Sequence, residues 1–279
     1  MVARKPLLIG LALIALFLLR GSSCVKITRP YKTPTAKEVL AALKVRSQKI
    51  KTLRAETRMS HQTAQGKVKA TVRLMAELGG KLRFDAVSPF DTPLSTLVAD
   101  GKNFALVDAK ANRHYYGPAT PCNLARLLRV SLQADAVLAI LAGSTPLITA
   151  ESATIAWDDR AGREILTLQG PSGSQVIHLD GRMNGGRPTW DLLQSEIRDK
   201  QGKVVLSIKA SDHRKIAGLR APKTLSLSQP KAGATLDLSY RKQELNVSLS
   251  KAAFELPAAG GLPSKRVDCQ TPLGSPTKK

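Results

Sequence analysis

From Ala55 onward the chain is written in a period of two. Arg58-Met59-Ser60-His61-Gln62, Val68 to Met75, Lys81 to Val87, Leu94 to Ala99 and Phe104 to Val107 each read as a strand. Gly66, Gly79-Gly80, Ser88-Pro89 and Asp100-Gly101 fall between them as turns. The pattern resumes at Ile155 to Trp157, Glu164 to Gln169, Gln175 to Leu179, Trp190 to Ile197 and Val204 to Lys209, and runs on through Thr224 to Ser228, Thr235 to Tyr240 and Leu245 to Leu249. In Thr224-Leu225-Ser226-Leu227-Ser228 and Thr235-Leu236-Asp237-Leu238-Ser239 the alternation is clean, so that sheet has one apolar face and one wet face. No internal repeat breaks the series, and the chain predicts about a dozen antiparallel strands.

Helical spacing occurs in only two places. Thr35 and Glu38 form a capping box. Val39, Leu40, Leu43, Ser47, Ile50 and Leu53 then mark one face, opposite Lys44, Arg46, Lys49 and Lys51. This predicts a helix of about 18 residues, longer than the usual 11–12. In the second block Asn123 is expected to cap Leu124 to Leu128. Leu132 to Ala142 is apolar on most sides and ends at Gly143, with Pro146 beyond. A long antiparallel sheet has one apolar face, and two short helical blocks cannot fill a curved one completely. Partial closure around them leaves an apolar cavity lined by aliphatic side chains, which suits an acyl chain.

The N-terminus speaks to the compartment. Arg4 and Lys5 precede an apolar run from Leu7 to Leu19, and Gly21-Ser22-Ser23-Cys24 follows. A run of about 13 residues is short of the roughly 20 that a spanning helix needs. Residues 1–23 therefore read as an export signal, with residues 24–34 as a basic tether. The small residues before Cys24 resemble a bacterial lipobox, although Gly21 stands where Leu is usual. Cleavage there exposes Cys24 for acylation, and two or more acyl chains, at about 0.8 kcal/mol per buried CH₂, hold a domain on a membrane. Val25 in place of Asp after the cysteine favours the outer membrane, by the same resemblance. Cys122 and Cys269 remain. Outside the cytoplasm they either pair, closing a loop worth about 4 kcal/mol, or stay unrelated thiols, and their spacing leaves both open.

The formal charge of +22 comes from 43 Lys+Arg against 21 Asp+Glu, and removing residues 1–23 takes away only Arg4, Lys5 and Arg20. The folded part is therefore basic, which suits anionic headgroups or an anionic envelope polymer. Nucleic acid fits the charge but not the compartment, and 4% aromatic residues is thin for base stacking.

Several short motifs, in order, resemble the LolA/LolB-like lipoprotein-localisation superfamily and its bacterial lipoprotein relatives, over most of residues 35–257. They are the capped first helix through Leu53, Gly80-Lys81-Leu82-Arg83-Phe84 leading to Ser88-Pro89, and Leu97-Val98-Ala99-Asp100-Gly101-Lys102 with Phe104. Tyr115-Tyr116-Gly117-Pro118 follows before Asn123-Leu124, and Pro222 to Leu227, Asn246 to Leu249 and Phe254 to Pro257 complete the set. Gly80-Lys81 departs from the Lys/Arg-Pro usual in the family. The resemblance implies a mainly β (α+β) fold: an unclosed antiparallel β-barrel of about 11 strands with a helical lid over a hydrophobic cavity. It also implies acylated lipoprotein or lipid cargo. The lid candidates are Val39, Leu40, Leu43, Ile50, Leu132, Val137, Leu138 and Leu141, and the wall candidates Leu74, Phe84, Leu97, Leu225, Leu227, Leu236 and Leu238. In the receptor branch an exposed apolar residue after the Leu-Arg strand helps deliver cargo into the membrane. Phe90 or Leu94 occupies that place here, although most Phe residues are buried and Phe90 can equally pack under the sheet rim. Residues 258–279 read as an unpacked tail.

No catalytic constellation accompanies this pattern. His61, His114, His178 and His213 lack metal spacing, and Gly170 to Ser174 misses the nucleophile-elbow pattern. Asp158-Asp159 lacks further carboxylates at calcium spacing. The expectation is a non-enzymatic protein without cofactor or metal. The other open reading is a structural envelope lipoprotein that binds anionic lipid or polymer through its basic surface.

Overall fold

The structure, a computed structural model, describes residues 26–64, 66–88, 90–128 and 134–269. The expected export signal, Cys24 and Leu132 lie outside the described residues. Helix α1 (Ala36–Gln48) opens the fold. Six strands follow as a meander: β1 (Thr52–Thr63), β2 (Gly66–Glu77), β3 (Lys81–Val87), β4 (Pro93–Asp100), β5 (Asn103–Asp108) and β6 (Arg113–Pro118). After α2 (Pro121–Leu128) and α3 (Ala134–Leu141) comes a second meander, which begins with β7 (Ser152–Asp158), β8 (Arg163–Gly170), β9 (Gly173–Asn184), β10 (Arg187–Arg198) and β11 (Val204–Ser211). A small separate hairpin of β12 (Arg214–Ile216) and β13 (Leu219–Ala221) intervenes before β14 (Thr224–Gln229) and β15 (Ala234–Leu245), and β16 (Ser264–Arg266) comes last.

Among the described residues, 14 strands form one sheet in the order β16-β6-β5-β4-β3-β2-β1-β15-β14-β11-β10-β9-β8-β7. The two meanders are joined where β1 pairs antiparallel with β15, from Leu53 opposite Leu245 to Gln62 opposite Thr235. The sheet ends at β7 and β16 and is not closed. Strand β6 lies at one edge region and β7 at the other, so the connection between them must travel from edge to edge. That connection carries α2 and α3. Helix α1 lies against β7 and β10, and α3 against β1 and β3, so both cover the same apolar face. Leu74, Leu82, Leu166, Leu168, Ile177, Leu225 and Tyr240 fill the space beneath them.

Helix α1 starts as expected: Thr35 Oγ1 accepts from the Glu38 amide at 3.2 Å, and the Glu38 carboxylate accepts from the Thr35 amide at 2.7 Å. Those bonds hold the Glu38 carboxyl below its usual range. The helix stops at Gln48, five residues short of the predicted Leu53. Asn246 is the reason. Its Oδ1 accepts from the Lys51 amide at 2.8 Å and its Nδ2 donates to the Lys49 carbonyl at 2.9 Å, satisfying groups that a longer helix would have paired internally. Leu53 consequently belongs to β1. Asn123 does not cap α2. It lies inside the helix, fully buried, and donates to the Pro118 carbonyl at 2.8 Å and the Val267 carbonyl at 3.3 Å.

Two segments expected to hang free are folded. Residues 26–34 are not a loose tether: they run as a strap across β7–β10. The Ile27 amide donates to the Asp159 carbonyl at 2.7 Å, and Trp157 Nε1 donates to the Ile27 carbonyl at 2.9 Å. Arg29 pairs with the fully buried Glu164 at 2.8 Å and lies over the Trp157 ring at 5.2 Å. Tyr31 stands edge-on to Trp190, accepts its indole N–H at 3.2 Å, and occupies the space a side chain at Gly181 would need. The tail beyond Pro257 is likewise fastened to the fold as far as Cys269, although its side chains other than Val267 stay largely exposed. Strand β16 pairs parallel with β6, Val267 is buried, and Cys122 and Cys269 are joined in a disulfide with Cα atoms 5.7 Å apart. Both corrections have one cause. The partners of these short segments are more than 100 residues away, and local composition carries no trace of them.

Candidate functional site

Helices α1 and α3 lie side by side over the sheet and together line two clefts. On one side Leu43, Lys44 and Ser47 of α1, Ala139 of α3, the loop Gly143 to Leu147 and Leu192 of β10 enclose a cleft of about 260 Å³. On the other side Ser47, Gln48, Ile50, Lys51, Leu78, Leu138 and Ala139 line a second cleft of about 200 Å³. Ser47 and Ala139 line both, so the two clefts adjoin at these residues. Each cleft is smaller than the roughly 300–1,000 Å³ of a typical small-molecule pocket.

The floor of the first cleft is fixed. Gln175, fully buried, donates to the Pro146 carbonyl at 2.8 Å and to Ser195 Oγ at 2.9 Å, and accepts from the Ile148 amide at 3.1 Å. Thr145 Oγ1 donates to Ser195 Oγ at 2.9 Å. At the end of α3, the Tyr240 hydroxyl donates to the Leu141 carbonyl at 2.8 Å. Gly143, with φ +84°, turns the chain where a Cβ would collide with Pro222. Ser144 beside it is buried, and its Oγ finds no partner among the described residues, which leaves a hydroxyl for a polar group on an occupant.

Helix α1 is held to this floor by one buried carboxylate. Asp191 of β10, 4% exposed at its side chain, pairs with Arg46 at 3.1 Å, with Arg220 at 2.5 Å and with Arg182 at 3.5 Å. Arg46 also donates to the Arg220 carbonyl, and Arg182 also pairs with Asp180. Burial pulls the Arg46 guanidinium below its ordinary pKa while Asp191 pushes it back up. Because Asp191 retains two cations without Arg46, the link from α1 is the dispensable member of the set.

The turn between β3 and β4 is the other conspicuous feature. Phe90 is 90% exposed and Leu94 42%. The turn is built to hold Phe90 out: Ser88 Oγ accepts from the amides of Phe90 and Thr92, both at 3.2 Å, and Asp91, at φ 61°, pairs with Arg73 at 2.9 Å. The packing of Phe90 beneath the rim does not occur.

The expected lid and wall residues divide. Leu43 lines the first cleft, and Ile50 and Leu138 the second, with Ile50 placed beyond the end of the helix. Val39, Val137 and Leu141 are buried core residues, and Leu40 is half-buried against them. Of the sheet positions, Leu74, Leu97, Leu225, Leu227 and Leu238 are packed into the core, while Phe84 and Leu236 are half-buried against it. None of these seven lines either cleft. Strand and helix periodicity single out none of Ser144, Ala139 and the Asp191 cluster. The available signal was Asp191 itself, a carboxylate set between Trp190 and Leu192 in a strand. Among the described residues no three His, Cys, Asp or Glu side chains gather as a metal site, and no helix is long and apolar enough to cross a membrane.

No protein-family model and no curated protein sequence matches the chain. Solved structures do. A DUF1329 family protein from Desulfovibrio piger superposes with a TM-score of 0.51 at 14% identity, over 80% of this chain and 98% of that one. A domain from Vibrio parahaemolyticus named for outer membrane lipoprotein sorting gives 0.49 at 13% identity, over 79% and 97%. A LolA superfamily protein from Nitrosomonas europaea gives 0.47 at 12% identity, over 80% and 98%. In architecture the chain is an unclosed, mainly antiparallel β-barrel, a fold it shares with the Desulfovibrio piger protein. At these identities the likeness is one of fold.

Proposed function

We propose that the protein is a membrane-anchored envelope lipoprotein that binds acyl chains of lipoproteins or lipids in the α1–α3 groove and takes part in outer-membrane lipoprotein or lipid trafficking, without catalysis. In this reading residues 1–23 direct export, Cys24 carries the anchor, and the domain faces the periplasm. The observation that carries it is the pair of adjoining, mainly apolar clefts beside α1 and α3, with the Ser144 hydroxyl, unpartnered among the described residues, at one end and Lys44 and Lys51 at the margins. Swinging α1 outward merges the two clefts and makes room for cargo, and loss of the Arg46–Asp191 pair permits this while Asp191 stays paired. Phe90 is the membrane-contact residue that hands cargo on. Its exposure supports that role, as does the family resemblance of its loop.

Native mass spectrometry of the chain from Cys24, purified without detergent, tests the groove. Phospholipid or lipopeptide masses that survive high salt are the expected result. Ala139→Trp, which fills the place where the clefts adjoin, should remove them and abolish uptake of a fluorescent fatty acid. A clean apoprotein that takes up no probe overturns the proposal.

A further inference from the structure

The strap fixes where the chain enters the fold. Lys26 pairs with Asp159 at 3.3 Å, and Ile27 bonds to the Asp159 carbonyl, so the N-terminal segment leaves from the β7–β8 turn. Each antiparallel step across the sheet reverses direction. Followed from β7 through β8, β9, β10, β11, β14, β15, β1 and β2, the ladder puts the start of β3 at the end of the sheet that holds the β7–β8 turn. The β3–β4 turn, with Phe90 at its tip, is therefore on the opposite rim. Strands of this length, tilted as in a barrel, separate the rims by about 20–30 Å. One residue, Val25, stands between Cys24 and the docked Lys26, and an extended residue spans only about 3.5 Å. An anchor on Cys24 thus holds the β7–β8 turn against its bilayer and points Phe90 away from it.

The distal rim has the character of a membrane-docking surface. Phe90, Val68 and Leu94 are exposed there, at 90%, 58% and 42%, and Lys67, Lys69 and Lys110 are exposed around them. Apolar tips ringed by lysine suit the interface of an anionic bilayer: the ring inserts and each cation gains about 1 kcal/mol near the headgroups. We propose that this rim docks on an anionic bilayer other than the one carrying the anchor, so that the anchored protein bridges two lipid surfaces. The proposal rests on the reading of Cys24 as the anchor and of Phe90 as the membrane contact, and adds that the two act in opposite directions.

The test tethers the chain from Cys24 chemically. Cys122 and Cys269 are bonded to each other, which leaves the Cys24 thiol to couple to a maleimide lipid in neutral vesicles. Acceptor vesicles rich in phosphatidylglycerol are added, and clustering is followed by light scattering. We expect clustering with anionic but not neutral acceptors, at least tenfold weaker with Phe90→Asp, whose fold circular dichroism should find intact. Inserting 20 Gly/Ser residues between Val25 and Lys26 lets the rim reach its own bilayer, and clustering should fall several-fold. If the anchored protein fails to cluster vesicles while the untethered chain binds anionic ones, bridging is wrong and the Phe90 contact stands. If neither form binds anionic vesicles, or Phe90→Asp changes nothing, the membrane-contact reading fails as well, whether or not the rim meets a protein instead.

Discussion

Replacing Asp191 by Asn and replacing Arg46 by Met remove opposite halves of the same ion pair, and the structure predicts very different costs. Asp191 is 4% exposed and faces three guanidinium groups, those of Arg46, Arg182 and Arg220. Taking away a carboxylate that buried cations depend on costs about 3–5 kcal/mol. Arg182 and Arg220 are 37% and 30% exposed and recover some hydration, so the lower end applies, about 3 kcal/mol. For a domain of this size that corresponds to a fall in Tm of about 6–12 °C. Arg46→Met leaves Asp191 with two cations and keeps the apolar stem of the side chain, so its cost should be about 1 kcal/mol or less. The same change unfastens α1 and should speed uptake of a fluorescent fatty acid severalfold, which Asp191→Asn does only at the expense of the whole fold. Urea unfolding measures the first quantity and stopped-flow mixing the second. If Arg46→Met destabilises as much as Asp191→Asn, or if Asp191→Asn costs less than about 1 kcal/mol, the carboxylate is not the hub, and α1 is held by something else.

Other consequences follow from the same contacts. Arg29→Met strands Glu164, which has no exposed surface, and should cost about 3–5 kcal/mol in a thermal scan; adding Glu164→Gln should return most of that loss. Replacing Cys122 and Cys269 by Ser opens a loop spanning 147 residues of sequence separation and should lower stability by about 4–5 kcal/mol, so a Tm change under about 2 °C would count against a formed disulfide. Burial depresses the His213 pKa below 6.5, with Asp191 opposing and Arg46 and Arg220 assisting, and burial also lowers that of His178. The folded state therefore binds fewer protons than the unfolded chain, and stability present above pH 6.5 should be lost as the pH falls through the folded values. His213→Gln should flatten that slope between pH 7 and 5 in unfolding titrations.

What the sequence disclosed was the set of features whose cause is local. Alternation over Thr224 to Ser239 identified paired strands, and Thr35 with Glu38 marked the start of α1, because in both cases the deciding interactions lie within a few residues or between consecutive strands. The end of α1 was misjudged because Asn246, from the far side of the chain, supplies the cap. The strap and β16 were missed for the same reason: Arg29, Tyr31 and Val267 are unremarkable until Glu164, Trp190 and Asn123 are brought beside them. Periodicity named Leu225, Leu227 and Leu238 as wall candidates, and they are buried in the core. It could not separate core from cavity wall, since both are apolar and face the same way, and only the three-dimensional gap between α1 and α3 distinguishes Leu43 from Val39.

The strap gives the molecule an optical gauge of its own. Trp157 and Trp190 are the two tryptophans in the chain, and each donates its indole N–H to the strap, one to the Ile27 carbonyl and one to the Tyr31 hydroxyl. Neither lines the groove between α1 and α3. Intrinsic emission should therefore read whether the strap is seated and be blind to what occupies the clefts beside α1 and α3. The strap and the clefts can thus be watched separately, without attaching a dye to either.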